Sequence, residues 1–247
     1  PIERTGKPIL VTDVKSSELI KYANNAMLAA RISFMNELSH LCEAVGADVK
    51  VVARGVGLDG RIGPRFLQAG IGYGGSCFPK DVRALVQMMK EHGCNPQLME
   101  AIDFVNESQK LSIIPKVRKL FPDLKGKKVT VWGLSFKPKT DDMRDAPSIV
   151  IINELQKLGA EVHAFDPVSE RNARHVLSDV HYADTPFGAL EGSHCLVIVT
   201  EWDLFRELDK NRMKLLMAEP NIVDGRNIYE PAEMRSLGFN YVGVGRG

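Results

Sequence analysis

The chain has 247 residues, with 32 basic and 31 acidic side chains, a formal net charge of +1, and a globular balance of 44% hydrophobic and 26% charged residues. Such neutrality, without a block of like charges, leaves no electrostatic footprint for nucleic acid; the apolar runs fall short of the roughly 18 residues that span a bilayer, and no signal-peptide pattern opens the sequence. Four scattered cysteines (Cys42, Cys77, Cys94, Cys195) form no C-x-x-C pair, so they suggest neither a disulfide scaffold nor a cysteine zinc site, and the chain reads as a cytoplasmic α/β protein.

The sequence begins Pro1-Ile2-Glu3-Arg4-Thr5-Gly6-Lys7-Pro8 without an initiator methionine, and residues 9–12 would suit the end of a strand begun upstream. The expectation is a piece of a longer protein. Residues 16–45 keep a helical period with no glycine or proline; Ser16 is the expected N-cap and Gly46 the stop. Thirty residues make a helix of roughly 45 Å, long enough for a spine between domains or across a dimer axis. Its expected apolar face is Leu19, Ala23, Ala26, Met27, Ala30, Phe34, Leu38, Leu41 and Val45.

Residues 61–76 hold five glycines and cannot be regular throughout. A helix follows from Pro79 to about residue 91, and another from about residue 96 to 121 that Pro115 should kink or split. After Gly126 the pattern alternates: strands at 128–134, 161–165, 195–200, 221–224 and 241–244, with a helix at 146–158. This predicts two units. Residues 1–124 form an all-helical central domain carrying the long spine; residues 125–247 form a doubly wound, parallel-sheet Rossmann-like domain whose sites lie beyond the carboxyl ends of its strands.

The densest chemical signal is Gly72-Tyr73-Gly74-Gly75-Ser76-Cys77-Phe78-Pro79-Lys80-Asp81. Glycines let a backbone approach a ligand closely. Cys77 then falls at the start of a helix, whose positive end favours a thiolate, with Lys80 adding a second positive group. Cys77 is therefore the expected nucleophile, while Cys42 and Cys195 read as small buried hydrophobes. Lys21 and Asn25 share a helix face at i, i+4; they would suit a developing oxyanion, or belong to an ordinary solvated face. Asp81 would serve proton transfer near the thiolate or simply the first turn of its helix.

The segment Val131-Trp132-Gly133-Leu134-Ser135-Phe136-Lys137-Pro138-Lys139-Thr140 sits where this fold class binds nucleotides, yet Ser135 and Pro138 replace the glycines of G-x-G-x-x-G. It gives no reason to expect NAD there. Lys137, Lys139 and Arg144, joined by Arg226 of Asp224-Gly225-Arg226, point to a differently held phosphate. The histidines (40, 92, 163, 175, 181 and 194) show no H-x-x-x-H or H-E-x-x-H spacing, so no metal is expected.

Taken together, these residues resemble the UDP-glucose/GDP-mannose dehydrogenase family of nucleotide-sugar 6-dehydrogenases. The matching segments are Glu18-Leu19-Ile20-Lys21-Tyr22-Ala23-Asn24-Asn25, the cysteine loop from Gly74 to Asp81, Gly133-Leu134-Ser135-Phe136-Lys137 with Arg144, and Asp224-Gly225-Arg226. Asn24 departs from the family's more usual alanine. The match runs in order along the whole chain, but the family's N-terminal NAD-binding domain, with its G-x-G-x-x-G, has no counterpart here. Ser76 and Phe78 look like the UDP-glucose branch; the UDP-N-acetylhexosamine branch tends to place histidine before the cysteine, and the GDP-mannose branch leucine after it.

The resemblance implies NAD-dependent oxidation of a sugar C6 alcohol to a carboxylate through a Cys77 thiohemiacetal and thioester. Lys21 and Asn25 would hold oxyanions and Asp81 would position a base or water. It also implies that Phe66, Leu67, Gln68, Ala69, Gly70, Gly74, Lys137 and Arg226 contact the UDP-sugar, that Lys80 and Arg144 reach NAD, and that the spine helix forms a homodimer. Other readings compete: a sugar-nucleotide-binding and dimerisation fragment inactive alone, a dehydrogenase of another nucleotide sugar (UDP-N-acetylhexosamine or GDP-mannose), and a flavodoxin-like binding module, which leaves the glycine–cysteine loop unexplained.

Overall fold

A computed structural model describes residues 8–246, so the opening Pro1 to Lys7 lies outside the described residues. Residues 9–12 have no regular structure. The spine helix, α1 (Val14–Val45), starts earlier than expected, because Asp13 rather than Ser16 is its N-cap: Asp13 Oδ1 accepts the Ser16 N–H at 2.9 Å. It ends at Gly46, whose φ of 74° closes the last turn as the sequence predicts.

The expected apolar stripe of α1 is only partly its core face: Ala26 is buried and Ala30 and Leu38 pack half-buried against the core, but most of its large residues are not. Ala26, Ala29, Ser33, Met35, Asn36, Ser39 and Cys42 are buried, whereas Leu19, Met27, Phe34, Leu41 and Val45 are exposed. Small and polar residues face inward because α3 and α4 pack closely against α1, with Ala26 and Ala29 meeting Val82 and Ile102. A short helix that the period did not reveal, α2 (Val49–Gly57), follows and is capped by Asp48. Next come α3 (Phe78–Glu91), α4 (Gln97–Lys110) and α5 (Ile113–Leu120). The expected split falls at Leu111 and Ser112, not at Pro115. Proline costs nothing in the first turn of α5, where N–H groups lack helical partners anyway.

The second half is a six-stranded parallel sheet: β1 (Lys128–Trp132), β2 (Glu161–Phe165), β3 (Val180–Tyr182), β4 (Cys195–Ile198), β5 (Asn221–Asp224) and β6 (Asn240–Gly243). Their order, β3-β2-β1-β4-β5-β6, is the doubly wound arrangement expected. Only the three-residue edge strand β3 was not anticipated. On one face Val129, Val131, Val162, Ala164 and Val197 pack with Ile151, Ile152 and Leu155 of α6 (Pro147–Lys157). Ile71, Ile113, Val117 and Phe121 join the same cluster, so α5 and the glycine loop are bedded on the sheet. On the other face Trp132 stacks on Phe205 at 4.8 Å, among Leu196, Ile198 and Met213. No helix among the described residues is long and apolar enough to cross a membrane.

Candidate active site

The glycine loop has no strand or helix to satisfy its backbone, and buried amide side chains do so instead. Asn36 Oδ1 of α1 accepts the Gly70 N–H at 2.9 Å, and Gln109 Nε2 of α4 donates to the Gly70 carbonyl at 2.6 Å. Asn106 clamps Tyr73 from both sides, accepting its N–H at 2.8 Å and donating to its carbonyl at 3.1 Å. These three amides were missed in the sequence, where they look like ordinary polar residues on helices. Farther on, the Gly75 N–H donates to the Arg144 carbonyl at 2.7 Å, which ties the loop to the sheet domain. A Cβ on Gly74 would lie 2.3 Å from the Asp145 carbonyl oxygen, so only glycine permits this contact.

The docked loop delivers Cys77 to the start of α3 as an exposed thiol, with Ser76 Oγ 3.7 Å from its sulfur. One turn on, the Asp81 side chain is fully buried, and its Oδ2 accepts from Lys21 Nζ and from Asn25 Nδ2, both at 2.6 Å. Lys80 Nζ approaches the other oxygen at 3.4 Å. Burial works against the Asp81 charge, but hydrogen bonds from Lys21 and Asn25 outweigh it and hold the carboxyl below its ordinary value. Lys21 is shifted upward, chiefly by its hydrogen bond to Asp81, with a smaller contribution from Cys77. Lys21 and Asn25 are thus not merely a solvated face: residues about sixty positions away in sequence give them a shared anchor. Cys195 shows the contrast, since complete burial pushes its thiol up to about 12.

Beyond the carboxyl ends of β4 and β5, Arg226 reaches back to the loop. Its Nε donates to the Val199 carbonyl at 2.7 Å and its Nη1 to the Gly72 carbonyl at 3.1 Å; Glu201 Oε2 lies 3.3 Å from Nε. Buried Asp224 shapes this turn by accepting the Arg226 N–H at 3.0 Å. Arg226 lines a cleft of about 320 Å³ with Leu67, Gln68 and Ala69, and with Lys50 and Arg54 of α2. Those two cations went unnoticed because α2 itself did. Phe66 takes a positive φ of 60° and meets the Phe78 ring edge-on at 6.2 Å. Leu67 is buried against Met35, Cys42 and Val49, and Gly70 lies under Arg226.

Lys137 stands over the Phe136 ring, with its ammonium 5.3 Å from the centroid, and that ring in turn packs on Gly75. Lys80 and Arg144 are exposed beside the cysteine loop; the Arg144 guanidinium is folded onto Asp142 at 2.8 Å and 3.0 Å. The turn after β1 does not fit a dinucleotide. A Cβ on Gly133 would lie 2.3 Å from the Thr200 side chain, so the turn packs closely on the strand end that follows β4. Asp166, at the end of β2 where a ribose-binding acid would stand, is buried and spent on the N–H groups of Leu134, Val168 and Ser169 and on Trp202 Nε1.

Residues 15–108 match the family model of the UDP-glucose/GDP-mannose dehydrogenase central domain, and residues 130–231 match that of the same family's UDP-binding domain. A UDP-glucose 6-dehydrogenase of Rhizobium meliloti (strain 1021) is 47% identical over 247 residues, which is 100% of this chain and 56% of that protein. A second, from Bacillus subtilis (strain 168), is 45% identical over 97% of this chain and 52% of its own length. Among solved structures, a UDP-glucose dehydrogenase from Pyrobaculum islandicum superposes with a TM-score of 0.88 at 35% identity, covering 97% of this chain and 53% of that one. The chain spans about half the length of the relatives it matches.

Proposed function

The chain belongs to the UDP-glucose/GDP-mannose dehydrogenase family, and from that premise we propose that it forms the central and UDP-binding parts of a UDP-glucose 6-dehydrogenase, which converts UDP-glucose to UDP-glucuronate. The observation that carries this reading is the convergence of Lys21, Asn25 and Asp81 at the helix that begins with Cys77, on a loop docked against Arg226 and Arg144. The split near residue 124 then separates the unit that performs the chemistry from the unit that holds the nucleotide.

Oxidising C6 from alcohol to carboxylate removes two hydrides and adds one oxygen from water. NAD is the acceptor that this family implies for both hydrides, and Lys80 and Arg144 are the exposed cations placed to meet its phosphates. The remaining work falls to this chain. At the aldehyde stage the Cys77 thiolate adds to C6, forming a C–S bond and an oxyanion that Lys21 Nζ and the second Asn25 N–H neutralise. Loss of the second hydride gives a thioester; water then attacks the acyl carbon, releasing the carboxylate and restoring the thiolate. Asp81 is a positioning residue. It fixes Lys21 and Asn25 through one oxygen, while the other lies buried beside Lys80, so that Asp81 orients the attacking water only through the groups it holds. Covalent capture keeps the aldehyde from escaping between the two oxidations.

A second copy of this chain is the partner that α1 suits. Ile20, Met27, Phe34 and Leu41 repeat every seven residues along the helix and are all exposed, as a helix–helix seam requires. The chemistry is tested by Cys77→Ala in a complete enzyme. Acid formation is expected to fall by at least about a thousandfold while UDP-glucose still binds; acid made at a near-normal rate would exclude the thioester route. The 247-residue polypeptide alone is expected to form no NADH, and robust NADH formation would overturn that expectation.

A further inference from the structure

The parallel pairing of β2 with β3 places His163 opposite His181, and Glu161 lies two residues before His163 on the same face of the sheet. Spacing along the chain cannot reveal this group, because it is assembled across strands. Glu161 Oε1 lies 2.9 Å from His163 Nε2 and 3.8 Å from His181 Nε2, and one ligand atom from each residue falls within 4.8 Å of the others. The two imidazoles stack at 4.6 Å with 21° between their planes. A Glu161–His163 hydrogen bond explains two of these side chains. It does not explain why His181, largely exposed, turns its Nε2 to the same carboxylate.

We propose that Glu161, His163 and His181 form a binding site for one divalent transition-metal ion of the zinc class. Two imidazole nitrogens and one carboxylate oxygen are a ligand set for Zn²⁺, whereas Ca²⁺ and Mg²⁺ prefer oxygen alone. Bonds of about 2.0–2.1 Å in tetrahedral geometry put neighbouring donor atoms about 3.3 Å apart; here Glu161 Oε1 stands 2.9 Å and 3.8 Å from the two imidazole nitrogens, with all three ligand atoms within 4.8 Å. Small rotations of two exposed side chains complete the set, and water takes the fourth position. Nearby Lys128 does not occupy the site, since its ammonium donates to the Glu191 carbonyl at 2.6 Å. The site lies on the β2–β3 edge of the sheet, with Glu161 opening β2, whereas Arg226 meets the cysteine loop beyond the carboxyl ends of β4 and β5. A bound ion would therefore clasp the short edge strand β3 to β2 and take no part in the sugar chemistry.

Calorimetric titration with Zn²⁺ tests this, after iodoacetamide has blocked the exposed thiols Cys77 and Cys94. The expected result is one Zn²⁺ per chain, a Tm that rises with added Zn²⁺, and no comparable effect of Mg²⁺. His181→Ala and Glu161→Gln, both at exposed positions, should each weaken binding at least about tenfold and abolish the rise in Tm. Absence of Zn²⁺ binding to the alkylated chain, or unchanged affinity in both variants, would overturn the proposal.

Discussion

The loop before α3 and the segment after β1 meet where Phe136 packs on Gly74 and Gly75, yet they satisfy their backbones in opposite ways. In the loop, neutral amides from two helices (Asn36, Asn106 and Gln109) stand in for a neighbouring strand. In the turn, one buried carboxylate, Asp166, gathers the N–H groups of Leu134, Val168 and Ser169. An amide can donate and accept, so it suits a segment whose carbonyls also need partners; a carboxylate can only accept, and it fills the place that a dinucleotide's ribose would otherwise take. The amide-held loop keeps its chemical edge open at Cys77, while the carboxylate-held turn is closed upon itself.

Gly74→Ala strikes the point where loop and sheet domain meet. The added Cβ would press on the Asp145 carbonyl with backbone on both sides, so a loss of about 3 kcal/mol is expected in denaturant unfolding. Gly126→Ala is the control: it has a positive φ of 68° but open space around it, and should cost only about 1 kcal/mol. Equal losses in the two would mean that the seam is not tightly packed. Asp166→Asn tests the other half of the contrast, because an amide N–H₂ would face N–H donors. It should cost about 2 kcal/mol, and a neutral result would break the distinction between the two turns.

Asn106→Ala should cost a similar amount, about 2 kcal/mol, by leaving the Tyr73 N–H and carbonyl unpaired in a buried place; Tyr73 amide hydrogen exchange should accelerate with it. The smallest effect belongs to Glu230, held down to about 2 by Arg246 and then Lys50. Its contribution is complete above the ordinary carboxyl range near 4.5 and is lost as the pH falls toward 2. Glu230 is 60% exposed, so Glu230→Gln should cost under about 1 kcal/mol at pH 7, a difference that vanishes by pH 2. A constant difference across that range would assign the effect to packing instead of charge.

Much of this was legible in the sequence because its signals are local. Apolar runs marked five strands, four of them ending at glycine or aspartate, and a cysteine between a glycine run and a proline-started helix marked the proposed nucleophile. What escaped depends on partners distant in the chain. The three-residue β3 is too short to show a period, and α2 is rich in β-branched valines. The apolar residues of α1 were visible, but not that Met27, Phe34 and Leu41 turn away from their own core. Nor does any local pattern show that Asn106 will hold Tyr73, or that Asp81 will anchor both Lys21 and Asn25.

In the proposed function the cysteine loop and the sheet domain together form a UDP-sugar site. Calorimetric titration of this chain with UDP-glucose, beside GDP-mannose and UDP-N-acetylglucosamine, tests it most directly. Selective 1:1 binding of UDP-glucose, lost in Arg226→Ala, is the predicted result. A folded chain that binds none of the three, or binds UDP-glucose equally well without Arg226, would contradict it.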